Sequence, residues 1–225
     1  MATLKARAWL SQAAIAAVTG VLLFGCAGTL RYWCAWVYLL LFFSLSGAIT
    51  LDLLRRDPAL LERRMKGGPA AEPRPLQRFL VAGTFMGAVS LVIVPALDVR
   101  FRWSHVPLGV VVLGGVLVVV GMGLIGRVYR ENTYTGATVA VEEGQRVITT
   151  GPYAVVRHPL YASALLYLVG TPLALGSYWG ELGVVFMVPV LVWRLLDEER
   201  LLGRDLSGYR AYQARVRYRL VPRVW

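Results

Sequence analysis

The sequence predicts an all-α fold, a polytopic transmembrane helical bundle of five to six spans with a polar loop and a basic tail on the cytoplasmic side. Three observations lead to it. Apolar runs recur along the chain at lengths near the roughly 20 helical residues that a bilayer core requires. The 225 residues are 57% hydrophobic and 16% charged, with mean hydropathy +0.57; a soluble domain usually has ~45–50% apolar and ~25% charged residues. Finally, 21 of the 24 Lys and Arg fall on one side of the alternating spans, as expected when basic loops stay in the cytoplasm.

The first run, residues 8–28, follows Lys5 and Arg7 and is long enough to span. Its end, Leu23-Phe24-Gly25-Cys26, resembles a lipoprotein cleavage site. Phe24 is too bulky for such a site and more spans follow, so the first helix is expected to remain uncleaved. Runs at 33–54, 78–97 and 106–126 supply three further spans. Runs 160–176 and 181–196 form a closing pair across the turn Gly176-Ser177-Tyr178-Trp179-Gly180. These two are short and carry Pro172 and Pro189, which bend helices, so the count is five if the pair is a hairpin that stops short and six if it crosses.

With the N-terminus inside, the 55–78 loop carries seven basic residues, the 127–157 loop four and the tail from Arg194 eight, leaving Arg31, Arg100 and Arg102 outside. Both termini are then cytoplasmic. No polar segment is long enough to fold apart, so the chain reads as one domain, 1–225, with N-terminal spans in 1–126 and the chemistry in 127–225.

The net charge of +11 follows from the same asymmetry and from attraction to anionic lipid; membrane lipids rather than nucleic acid are the expected partners. Cys26 and Cys34 flank a short turn and allow one bridge, without the spacing of a disulfide framework or a metal site. His105 and His158 are the only histidines, too few for a His-rich metal centre, and no metal is expected.

Gly121-Met122-Gly123-Leu124-Ile125-Gly126 matches the dinucleotide-binding fingerprint letter for letter. That motif requires a strand, a turn and a helix in a soluble unit. Here it closes an apolar run, where small residues let membrane helices approach closely. The 131–157 segment is polar and rich in Thr and Gly. Its length marks a functional loop, and alternation around Glu142-Glu143-Gly144-Gln145 predicts a short hairpin. The Gly67-to-Pro75 stretch reads as a plain linker.

Two clusters can carry chemistry. Gly151-Pro152-Tyr153 and Arg157-His158-Pro159-Leu160-Tyr161 stand where the polar loop meets the fifth run. Pro159 suits the first position of a helix and makes His158 its cap, and the free N–H groups of the first turn favour an anion. The plainer reading is an interfacial anchor of Arg and Tyr. Arg194, Asp197, Glu198 and Glu199 end the last run. Arg194 and Glu198 share a helical face, either as a self-contained salt bridge or as functional groups, because ionisable residues at a membrane boundary are costly without a partner or a task. Both clusters fall on the same membrane face. The tail alternates Tyr209, Arg210, Tyr212, Arg215, Arg217, Tyr218 and Arg219, either as a membrane-surface segment or as a cover over a bound ligand.

Taken in order, Gly151-Pro152-Tyr153, Arg157-His158-Pro159-Leu160-Tyr161, Glu198-Glu199 with Leu202, Tyr209 and Tyr212, and Arg217-Tyr218-Arg219-Leu220-Val221-Pro222 resemble the isoprenylcysteine carboxyl methyltransferase family and its phospholipid methyltransferase relatives, bacterial members above all. The resemblance covers about the last 90 residues of the printed sequence. It implies an integral inner-membrane methyltransferase with S-adenosyl-L-methionine held between the loop and the last two helices. Carried onto this chain, it makes Gln145, Arg146, Val147, Ile148, Tyr153, His158, Pro159, Leu160, Tyr161 and Glu198 cofactor contacts. Arg194 would face the substrate, with Arg194 and Glu198 as the catalytic pair. Gln145 stands where a histidine is common, and Ser163 where a glycine is usual.

Methyl transfer between a sulfonium and a nucleophile depends mainly on holding the two in line. The planar fork of Arg194 suits a carboxylate, which makes the carboxylate of an isoprenylcysteine-like, lipophilic compound the leading acceptor. A phosphatidylethanolamine amine and a small thiol are the alternatives among enzymes. A small transporter is the non-enzymatic one, although transporters place ionisable groups near the midplane and show repeated halves.

Overall fold

The computed structural model describes residues 2–72, 74–139, 141–142 and 144–225. Among them the regular structure is entirely helical, as the apolar runs predict: α1 (Ala2–Ala27), α2 (Trp33–Arg56), α3 (Pro58–Met65), α4 (Pro75–Phe101), α5 (Leu108–Glu131), α6 (Pro159–Ala174), α7 (Glu181–Asp205) and α8 (Tyr209–Arg215). Helices α1, α2, α4 and α5 are long and apolar enough to cross a membrane. Their outward faces carry exposed Leu10, Val21, Leu40, Phe79 and Leu113, a surface suited to lipid rather than water, and the chain is an integral membrane protein.

The closing pair differs from these four. With 16 residues, α6 reaches about 24 Å at 1.5 Å per residue, less than the ~30 Å hydrocarbon core. Helix α7 is apolar from Leu182 to Trp193, and from Arg194 it continues to Asp205 as a charged extension. That extension carries the second cluster out to the end of the bundle where the polar loop and α8 lie.

Glycine decides how close α6 comes to α5. A Cβ added at Gly114 would lie 2.3 Å from the Ala174 nitrogen, one at Gly121 2.7 Å from the Tyr167 nitrogen, and one at Gly170 2.6 Å from the Gly114 carbonyl oxygen. These are backbone atoms that cannot step aside. The fingerprint-like run therefore sits inside one continuous helix, with Gly121 packed against α6 and Gly123 open to space. At the far end, buried Asp98 accepts hydrogen bonds from Ser104 Oγ and Ser177 Oγ, both 2.5 Å, tying the end of α4 to the α6–α7 turn. Cys26 and Cys34 are free thiols.

Two local expectations are corrected. No hairpin forms around Glu142 among the described residues. The Gln145 side-chain oxygen accepts from the Glu142 N–H (2.8 Å), the Gln145 N–H donates to the Glu142 carbonyl (3.1 Å), and Gly144 turns at φ +71°, closing a tight turn instead. Ala140 and Glu143, which belong to the expected hairpin, lie outside the described residues. The stretch after Gly67 is no plain linker either. Gly67 packs so tightly that a Cβ would lie 2.5 Å from the Ala137 methyl. A single turn of 3-10 helix follows at Pro69–Ala71, and Glu72 then enters the interior at 1% exposure.

Candidate functional site

A cavity of about 510 Å³ opens between α4, α5, α6 and α7, roofed by residues 132–139 and 145–148 and by α8. Pockets for small organic ligands commonly measure ~300–1,000 Å³. Of the residues expected at the site, Gln145, Arg146, Val147, Ile148, Tyr153, His158, Leu160, Tyr161, Arg194 and Glu198 line this one space. Pro159 does not. It occupies the first position of α6, buried behind the wall, where its ring starts the helix and leaves the cavity to its neighbours.

The first cluster is anchored by Glu199 rather than Glu198. Arg157 Nε donates to Glu199 Oε1 at 2.6 Å, His158 Nε2 lies 3.1 Å from the same oxygen, and Arg219 Nε donates to Oε2 at 2.9 Å. Burial would raise the Glu199 carboxyl, but these donors outweigh it and hold the group at about 2. Arg157 Nη1 also donates to the Val216 and Arg217 carbonyls, and the Arg157 and His158 N–H groups donate to Tyr218 and Arg219. The C-terminal segment is thereby fixed alongside the start of α6. The interfacial-anchor reading of Arg157 fails here, because a side chain buried to this degree and bonded to its own chain cannot reach headgroups.

Glu198, one position earlier, points the other way and accepts from the Tyr161 hydroxyl at 2.7 Å. It is the only carboxylate among the described residues lining the cavity. The self-contained Arg194–Glu198 bridge is not made. Arg194 Nη2 donates to Glu72 Oε1 and to the Ala137 carbonyl, each at 2.9 Å, and Nη1 donates to Gln77 Oε1 at 2.8 Å. Glu72 lies within the linker-like stretch and Gln77 in the first turn of α4, and no local pattern in the sequence marks either.

The roof adds groups that the motifs only hinted at. Asn132 Nδ2 donates to the Tyr153 hydroxyl at 2.9 Å, and the Tyr212 hydroxyl donates to the Tyr153 carbonyl at 2.7 Å. Tyr209 lines the cavity, and its hydroxyl is buried with no hydrogen-bond partner among the described residues. Burial pushes its phenol well above the ordinary value, so it stays a neutral donor. A buried hydroxyl without a partner costs about 1–3 kcal/mol, a deficit that a polar ligand would remove. Deeper in, Val81, Thr84, Phe85, Leu168, Met187 and Leu191 form an apolar arm, and Phe85 is 65% exposed on the lipid side. Among the described residues no group of three or more His, Cys, Asp or Glu is placed to hold a metal ion.

Residues 110–206, from the start of α5 through α7, match the family model for phospholipid methyltransferase. This supports a membrane methyltransferase and bears out the resemblance carried by the loop and the last two helices. Among curated proteins, the nickel-cobalt-cadmium resistance protein NccN of Alcaligenes xylosoxydans xylosoxydans is 26% identical over 153 residues, covering 64% of this chain and 68% of that protein.

Proposed function

We propose, for a chain that carries the phospholipid methyltransferase pattern over residues 110–206, that the cavity holds S-adenosyl-L-methionine at its polar end and a lipophilic methyl acceptor in its apolar arm. One observation carries this reading. The residues named from the sequence, Pro159 excepted, and lipid-exposed Phe85 line a single cavity. The charge asymmetry supports a cytoplasmic position for the basic end of the bundle, and the membrane we propose is a bacterial inner membrane. Residues 1–225 act as one domain, and the 127–225 part shares its site with Arg64, Thr84 and Phe85 from the preceding spans.

The donor set fits the cofactor. When bound, S-adenosylmethionine supplies an electrophilic methyl group on its sulfonium. Glu198 offers a carboxylate to an ammonium or to ribose hydroxyls, oriented by Tyr161. Tyr209 gives its unpaired hydroxyl, and Tyr153 and Tyr212 give aromatic walls. Val147, Ile148 and Leu160 exclude water from the base, while Gln145 and Arg146 close the loop side. The chain thus supplies mainly position and a dry environment, which is what in-line transfer requires.

Arg194 is the group that faces the acceptor; the sequence favoured the carboxylate of an isoprenylcysteine-like compound, a reading that requires Arg194 to be free to grip it. A second reading, methylation of a phosphatidylethanolamine-like amine, is favoured by Glu198 as the lining carboxylate. Labelled methyl entering a base-labile ester selects the first, and entry into base-stable lipid selects the second.

Calorimetry with S-adenosylhomocysteine tests the cofactor end. Glu198→Gln and Tyr209→Phe should each weaken binding, Glu198→Gln by roughly tenfold or more, as expected for a charged hydrogen bond of about 1.5–3 kcal/mol. Unchanged affinity in both variants removes the site assignment.

A further inference from the structure

We propose that Glu72 is a specificity-determining residue that occupies and neutralises Arg194, so that the acceptor end of the cavity disfavours a carboxylate. This rests on the reading of the cavity as an acceptor site, and it concerns a residue outside the family-matched segment.

The geometry is a network of four charges, in which Glu72 Oε2 and Arg74 Nη1 have no hydrogen-bond partner among the described residues. Arg194 pairs with Glu72 at 2.9 Å and with Gln77 at 2.8 Å; Gln77 Nε2 donates to Asp197 Oδ2 at 2.5 Å, and that oxygen also takes Arg74 Nη2 at 2.5 Å. Two cations and two carboxylates therefore balance, with Gln77 joining the pairs. Glu72 and Gln77 are 1% and 0% exposed, and a pair this deep is little screened by salt.

Guanidinium geometry sharpens the point. A carboxylate is gripped along one of two edges, Nε with Nη2 or Nη1 with Nη2, and each edge needs an Nη2 hydrogen. Both Nη2 hydrogens are taken, one by Glu72 and one by the Ala137 carbonyl. No two-pronged edge remains for an incoming carboxylate. Arg64, another cation lining the cavity, is itself held in place, giving Nη1 to the Thr135 and Gly136 carbonyls and lying 4.5 Å over the Tyr129 ring. Removing the charge of Glu72 would leave Arg194 as a cation in search of an anion, and an acceptor carboxylate is the group that can supply it.

The test uses the full chain in phosphatidylcholine nanodiscs and two matched fluorescent probes, a long-chain fatty acid and its primary amide, at about pH 9, where the acid is ionised. The readout is the ratio of their affinities, which a scaffolding role would not move. Glu72→Gln should shift the ratio towards the acid by roughly tenfold, about 1.4 kcal/mol, and Glu72→Asp should keep the wild-type ratio. The double variant Glu72→Gln, Arg194→Gln has no charge to expose and should also keep it, which preserves the test if the single variant does not fold. Equal loss of both probes in Glu72→Gln, a tenfold shift in the double variant, or no saturable binding of either probe overturns the inference. Charge selection in a protein that fails to bind S-adenosylhomocysteine would overturn the cofactor reading and leave this one standing.

Discussion

Glu199→Ala is expected to abolish the folded C-terminal half, the largest single-residue effect in the molecule. The carboxylate takes donors from Arg157 and Arg219 and lies against His158, and both Arg157 and Glu199 have side chains only 6% exposed. Removing one partner of a buried ion pair leaves an uncompensated charge and costs about 3–5 kcal/mol. Thermal unfolding in detergent should show the loss, and limited proteolysis should release the tail after Arg215, because Arg157 would no longer hold the carbonyls of Val216 and Arg217. The same group predicts an acid limit. Its folded value of about 2 lies below the ordinary 4.5, so its stabilisation is complete above about pH 4.5 and is lost as the pH falls through 2. Wild-type protein should lose stability across that window on this account, and a folded Glu199→Gln variant should show a smaller acid dependence.

Gly170→Val is expected to be nearly as severe, through a different mechanism. The added Cβ meets the Gly114 carbonyl oxygen at 2.6 Å, Leu117 Cβ at 2.8 Å and the Val118 nitrogen at 2.9 Å. Overpacking usually costs about 1–3 kcal/mol, and here two of the three contacts are backbone, so α6 must move away from α5. That displacement carries His158 and Tyr161 off the cavity, and S-adenosylhomocysteine binding should fall together with thermal stability. Gly123→Ala is the control. No atom lies within 4 Å of its Cβ, and alanine favours a helix over glycine by about 1 kcal/mol, so stability should hold or rise. Loss of stability at Gly123 equal to that at Gly170 would mean that helix flexibility, not close approach, explains the glycines.

The contrast between these positions shows what could be read in advance. Both glycines are simply small residues in apolar runs; only the crossing of α5 and α6 separates one that must be glycine from one that need not be. The motif cluster 151–161 was legible because proline, glycine and the residues around them impose local geometry: Pro159 starts α6, and Gly151 turns at φ +56°. Glu198 and Glu199 were legible as a pair but not in their division of labour. Neighbours on a helix diverge by about 100°, so one faces the cavity and the other the tail, and which is which depends on where α6 and the tail lie. The tyrosines of α8 carried a hint through their spacing, and the roof they form was decided by the bonds to Arg157 and Tyr153.

By itself the sequence determined the helical class, the membrane location and the grouping of basic residues at one end, each from short-range properties: hydropathy over about 20 residues, charge between spans, and backbone restrictions at proline and glycine. The residues expected at the polar end of the cavity came from the resemblance to a known family. Tertiary structure alone decided that Glu72 and Gln77 reach Arg194 across more than a hundred residues of chain. Such a pairing has no period and no local signature, since ion pairs form between whichever buried groups the packing of α4 against α7 brings within reach.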